Sequence, residues 1–190
     1  EKMSVVNHIE LFPTIVGECE RVDLIEPVIE VIKSIPENDW GYQGSLSTDV
    51  LDDNLKREFC IEVKLFLRNV LNYNQDIKLT TSWFTRRKPD TIANTHKHVN
   101  SWWSACYYLQ DESEINLEKD IPQIYVNPTV STRLNGLART IKAKKGTLLV
   151  FPSEVLHTPV LHEKNLRYSL AMNFMPLGIV GEGDSTYEYR

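Results

Sequence analysis

Cysteine is scarce in this chain. Cys19, Cys60 and Cys106 are odd in number, widely spaced and include no C-x-x-C pair. That excludes a disulfide framework and a thiolate zinc site, and it reads as reduced thiols in a cytoplasmic setting. Long apolar runs are missing too: no segment approaches the roughly 18 residues of a membrane span. The first residues, Glu1-Lys2-Met3, show no charged-then-apolar leader pattern. Basic charge is in deficit, with 21 Lys and Arg against 26 Asp and Glu and a formal net charge of −5. Such a balance argues against a general affinity for nucleic acid or anionic membranes. Two local basic runs, Arg86-Arg87-Lys88 and Lys142-Ala143-Lys144-Lys145, read as solvated faces or strand-flanking charges. No G-x-S-x-G elbow, phosphate-cradling loop or paired catalytic carboxylates occur, so hydrolase and nucleotide-binding readings have no support.

What remains is an ordinary globular balance, 42% hydrophobic and 25% charged over 190 residues, which suits one domain with a sizeable core. Asn7 to Val16 is a short apolar stretch broken by Pro13, an edge strand or a piece crossing the barrel mouth. Asp23 is placed to cap a helix to about Ile35, with Leu24, Val28, Val31, Ile32 and Ile35 on its buried face. Pro36 to Asp49 is loop. A second helix is expected from Asp52 or Asp53 to about Tyr73, striped by Leu55, Phe59, Val63, Phe66 and Val70 and widened by Leu67 and Leu71.

After Asn74 the period switches from helical to alternating, with Ile77, Leu79, Thr81 and Trp83 every second residue. Strands are expected at 77–85, 92–96, 102–110, 114–118, 123–127, 138–143, 147–151 and 167–175. Eight strands behind a helical prelude predict a mainly β jelly roll or barrel buttressed by N-terminal helices. The division is residues 1–75 as helical buttress, 76–176 as jelly-roll core and 177–190 as a polar tail, mobile or a short edge strand.

Four of the five histidines (His96, His98, His157, His162) fall in two segments, 95–110 and 146–174. Residues i and i+2 of a strand share a face, so His96 and His98 can address one point at a strand mouth. His157 follows a short buried strand, Thr147 to Phe151, that Pro152 stops. Arg167 then opens another strand with Ser169 on the same face. A guanidinium forks onto a carboxylate and a serine hydroxyl adds one hydrogen bond, which suits the far end of a dicarboxylate whose near end a metal chelates.

On LFPT at 11–14, HKHVNSWWSACYYL at 96–109, GTLLVFPSEVLH at 146–157 and RYSLAMNF at 167–174, the chain resembles the iron(II)/2-oxoglutarate-dependent oxygenases. Most similar is a small bacterial and phage branch with His-x-His as its first motif. The resemblance implies a double-stranded β-helix (jelly-roll, cupin-like) core with iron at its open end, in a bacterial cell or phage-infected host. It implies His157 as the distal ligand and Arg167 with Ser169 on the distal carboxylate of 2-oxoglutarate. Dioxygen is then the co-substrate, succinate and carbon dioxide are products, and hydroxylation of a protein side chain or small molecule is the default outcome. Most of the superfamily carries His-x-Asp or His-x-Glu where this chain has His96-Lys97-His98. Either three histidines bind the metal or one of the first pair stands behind the others. Three neutral ligands leave more positive charge on the ion than two and a carboxylate.

Other readings stay open. A three-histidine cupin-like dioxygenase would need no 2-oxoglutarate, and a jelly-roll binding module would need no catalysis. His8 and His162 read as surface residues. Trp102 and Trp103 face opposite sides of their strand, as do Tyr107 and Tyr108. Tyr107 is a candidate for cofactor contact, Trp83 lines the pocket or fills the core, and Asn173 either reaches a pocket carboxylate or satisfies backbone. Cys106 reads as a small core residue. An oligomer is compatible with the sequence.

Overall fold

A computed structural model describes residues 9–41, 45–46, 49, 51–87, 93–120, 126–160 and 166–190. The described elements are two helices, α1 (Ile25–Ser34) and α2 (Asp53–Leu71), and ten strands. The larger sheet runs in the order β1 (Gly17–Glu20), β7 (Thr147–Pro152), β4 (Trp103–Tyr108), β9 (Arg167–Val180), β3 (Asp76–Arg87) and β2 (Ser45–Leu46). A final strand, β10 (Tyr187–Tyr189), pairs antiparallel with the end of β9, Gly178 to Val180. The smaller sheet is β6 (Ala138–Ala143), β5 (Ser113–Glu118) and β8 (Leu156–Pro159). All pairings are antiparallel. With the helices this is the double-stranded β-helix expected from the sequence.

Alternation assigns the two faces of the large sheet. Trp103, Ala105 and Tyr107 of β4 stand beside Phe174, Met172 and Leu170 of β9, and all are buried against the helices. Their neighbours Ser104, Cys106 and Tyr108 face the other sheet. There Tyr108, Leu149 and Phe151 pack with Ile115, Leu117 and Ala143 as a second, smaller core. The candidate site residues Trp83, Ser169 and Asn173 belong to this inner face.

Helix α2 begins where Asp52 accepts a hydrogen bond from the Leu55 amide (2.8 Å) and ends at Asn72 in the left-handed region. Its buried residues are Leu55, Phe59, Val63 and Leu67, four apart. Val70, expected on that stripe, is exposed: its angle falls among the buried positions, but it lies in the last turn, past Leu67, the last buried residue of the helix. Asp23 does not cap α1 by its side chain. It lies in a preceding 3₁₀ turn and accepts from Arg21.

Several strand limits differ from expectation. The N-terminal strand is Gly17–Glu20, not part of 7–16, whose described residues carry no strand. At Gly17 a Cβ would lie 2.6 Å from the Phe66 ring, so only glycine lets β1 pass under α2. In place of a strand at 92–96 there is one bridge, His96 to His157. The expected strand at 123–127 lies mostly outside the described residues, and 126–127 are not in one. Strand β8 was not foreseen: four residues containing His157 and ending on proline carry no alternation signal. The tail supplies β10.

Arg21 ties β1 to α2. Its guanidinium donates to Glu58 (2.9 Å) and Glu62 (2.8 Å) as well as Asp23, while its carbonyl accepts the Tyr107 hydroxyl (2.7 Å). Arg21→Met would leave Glu58 and Glu62, one turn apart, without a counter-charge. A loss of about 2 kcal/mol is expected in urea denaturation, shrinking at high salt as the carboxylates are screened.

Candidate metal centre

Three backbone hydrogen bonds bring the histidines together. The His96 and His157 amides each donate to the other residue's carbonyl (3.0 and 2.8 Å), and the His98 amide donates to Ser153 (2.9 Å). Ring centroids then lie 5.3 Å apart for His96 and His98, 4.3 Å for His96 and His157, and 4.9 Å for His98 and His157. One nitrogen from each ring falls within 4.8 Å of the others. His157 is buried against Phe151, His98 is half-buried against Trp83, and His96 is exposed.

Each ring has its Nδ1 committed. That of His96 meets the Asn94 carbonyl (2.9 Å), that of His157 the Val155 carbonyl (2.9 Å), and that of His98 the Asn173 side-chain oxygen (2.7 Å). A carbonyl can only accept, so Nδ1 carries the proton and Nε2 is left with a bare lone pair. Desolvation lowers the pKa of both buried rings, to about 4 for His157, and the neighbouring imidazoles add to it. Neutral imidazoles offering Nε2 are what a divalent ion needs.

Asn173 is more than a backbone partner. Its oxygen also accepts from Ser104 (2.8 Å), whose hydroxyl meets Ser153 (2.8 Å), which donates to Ser101 (2.9 Å). Its amide nitrogen donates to Thr81 (3.1 Å), leaving the oxygen turned towards His98 and Ser104. The serines lay inside quoted motifs, but nothing in their spacing marked a chain across three strands.

Further along the inner face come two rungs that cross β3 and β9. Thr85 stands opposite Ser169, with the hydroxyls 2.6 Å apart, and Tyr108 flanks Ser169 on the other side. Arg87 stands opposite Arg167. Arg167 donates to the Glu112 carbonyl, but its Nε is buried without a partner. The Tyr108 hydroxyl is also buried, with the Cys106 thiol as its polar neighbour. Between this end and the histidines sit Ala171 and Cys106, both small. Burial pushes the Cys106 thiol up to about 11, so it is no nucleophile.

Not every candidate joins the group. Trp83 stacks on His98 (5.2 Å, 27° between planes) and lines the open cleft with Thr81, His96, Val99 and Asn173. Tyr107 does not join it: it faces the helices, fully buried, edge-on to Phe59 at 5.2 Å. Its neighbour Tyr108 takes the inner face, since successive strand residues point to opposite sides. His8 and His162 lie outside the described residues. Of the basic run at 86–88, Arg86 and Arg87 are not a solvated face, being at most half exposed, and Lys88 lies outside the described residues.

Residues 81–173 match the family model described as "Putative 2OG-Fe(II) oxygenase". Among solved structures, HygX from Streptomyces hygroscopicus, with nickel and 2-oxoglutarate bound, aligns with a TM-score of 0.58 at 13% identity, over 86% of this chain and 83% of that one. A truncated viral collagen prolyl hydroxylase from Paramecium bursaria Chlorella virus-1 aligns with 0.58 at 13% identity, over 91% and 98%. AviO1 from Streptomyces viridochromogenes Tue57 gives 0.55 at 14%, over 85% and 89%. No curated protein sequence matches the chain. The matched residues include His96, His98, His157, Arg167 and Ser169, and the solved structures share the fold of this chain. Among the described residues, no helix is long and apolar enough to cross a membrane.

Proposed function

We propose that the chain is an iron(II)- and 2-oxoglutarate-dependent hydroxylase in which His96, His98 and His157 together hold the metal. The observation that carries this reading is that all three rings bond an oxygen through Nδ1 and so turn Nε2 towards one point. The donor set suits iron(II) but supplies no negative charge, so the ion would keep its full dipositive charge until a keto acid binds. HygX, of the same fold, binds nickel and 2-oxoglutarate. The fit to the keto-diacid rests on the Arg167 Nε, which lacks a partner, and on the buried Tyr108 hydroxyl beside Ser169.

The metal with 2-oxoglutarate supplies oxidation of a C–H bond by dioxygen, releasing succinate and carbon dioxide. The chain's residues do the arranging. Arg167 and Ser169 hold the far carboxylate and thereby the direction of the keto acid. Ala171 and Cys106 leave its length free, and Leu117, Leu149 and Phe151 keep water from the inner side. Trp83 fixes the plane of His98 and forms one wall of the cleft where a substrate, a protein side chain or a small molecule, would meet the metal. Small Ala171 and two facing arginines favour this over a cupin-like dioxygenase, which needs no anion pocket.

Anaerobic calorimetry tests the reading. Manganese(II) is expected to bind one to one, and 2-oxoglutarate to bind only to the metal-loaded protein. Binding of the keto acid without metal at equal affinity would refute chelation at the histidines.

A further inference from the structure

Arg86 and Arg87 look alike in the sequence but point to opposite faces of β3. Arg86 turns to the helix side, where Glu37 accepts its hydrogen bond (2.6 Å) and Trp40 lies beneath it at 4.7 Å. Arg87 turns inward, directly across from Arg167. Its Nε and one terminal nitrogen are buried and bonded to nothing, and among the described residues no carboxylate pairs with it. Burial pulls its pKa down, the mark of a charge losing water without gaining a partner. Two like charges directly opposite on neighbouring strands oppose folding. A fold that retains the pair, with unpartnered donors on both members, is built for an anion between them.

Resting on the reading above, we propose that Arg87 is a second cation of the far-carboxylate pocket and sets its selectivity for diacids over monoacids. Two guanidiniums, Tyr108, Ser169 and Thr85 would then surround one carboxylate at the closed end. A keto acid ending in a methyl group would leave both arginines unpaired and would bind far more weakly.

The test compares 2-oxoglutarate with 2-oxobutanoate, which has the same keto-acid end and no far carboxylate. Both are titrated anaerobically into the manganese-loaded full chain. Arg87→Met is expected to weaken 2-oxoglutarate about tenfold to a hundredfold, as loss of a charge-assisted hydrogen bond does, and to leave 2-oxobutanoate and manganese affinities unchanged. Arg87→Lys is expected to recover part of the loss. The anion-free Arg87→Met protein is expected to melt at or above the wild-type temperature, since a repulsion has been removed. Unchanged 2-oxoglutarate affinity in Arg87→Met, with Arg167→Met losing it, would overturn the assignment of Arg87 and leave the oxygenase reading standing. Wild-type protein that binds manganese but neither keto acid would overturn both.

Discussion

Replacing His157 with alanine is expected to abolish manganese or iron binding at micromolar concentrations while leaving the fold intact. Among the three imidazoles this one is the most buried, and its ring is fixed from two sides by the Val155 carbonyl and the Phe151 edge. Its removal leaves two rings, one of them exposed, with no carboxylate in the trio to substitute. The loss should therefore exceed the ~10–100-fold that removal of an outer hydrogen-bond partner costs. Asn173→Leu supplies that smaller effect in the same experiment. It frees the His98 ring to turn and take the other tautomer, but removes no ligand. Calorimetry on both variants checks the ordering, and equal losses, or none, would contradict the three-ligand assignment.

Phe59→Ala is expected to cost about 3–5 kcal/mol, a large part of the stability of a domain this size. Phe59 is fully buried in the middle of α2, edge-on to Tyr107 and packed in the main core. The cavity would open between the helix and the central strands, which hydrogen-bonded sheets cannot close by collapsing. Val70→Ala, on the same helix but exposed, should stay within about 0.5 kcal/mol. Urea denaturation of the metal-free protein measures both. At temperatures where it stays folded, Phe59→Ala should bind metal normally, because no histidine touches α2 among the contacts described.

Much of this architecture can be read from pattern. Alternation from Ile77 and the apolar run at 147–151 place strands to within a few residues, and Asp52 announces the start of α2 because an N-cap is a local device. The pairing of His96, His98 and His157 is visible because His-x-His and a strand-stop before a third histidine are local signals too. Other features depend on what only folding decides. Whether Tyr107 or Tyr108 faces inward is a question of one residue of register, and both are equally apolar and equally polar at the tip. Arg87 can be found by counting forward in twos from Trp83, but its meaning needs Arg167, 80 residues away, to stand opposite. Strand β8 holds by pairing with β5 and has no periodicity to show. Glycine at 17 becomes intelligible only once Phe66 lies over it.

The bridge between residues 96 and 157 ties the segment ahead of β4 to β8 of the smaller sheet, at the end where the imidazoles gather. An ion drawing the three rings together would also staple that seam. Amide protons on both sides of it should then exchange with heavy water more slowly in the loaded protein than in the empty one. Occupancy could thus be followed without any turnover, and without a substrate in hand.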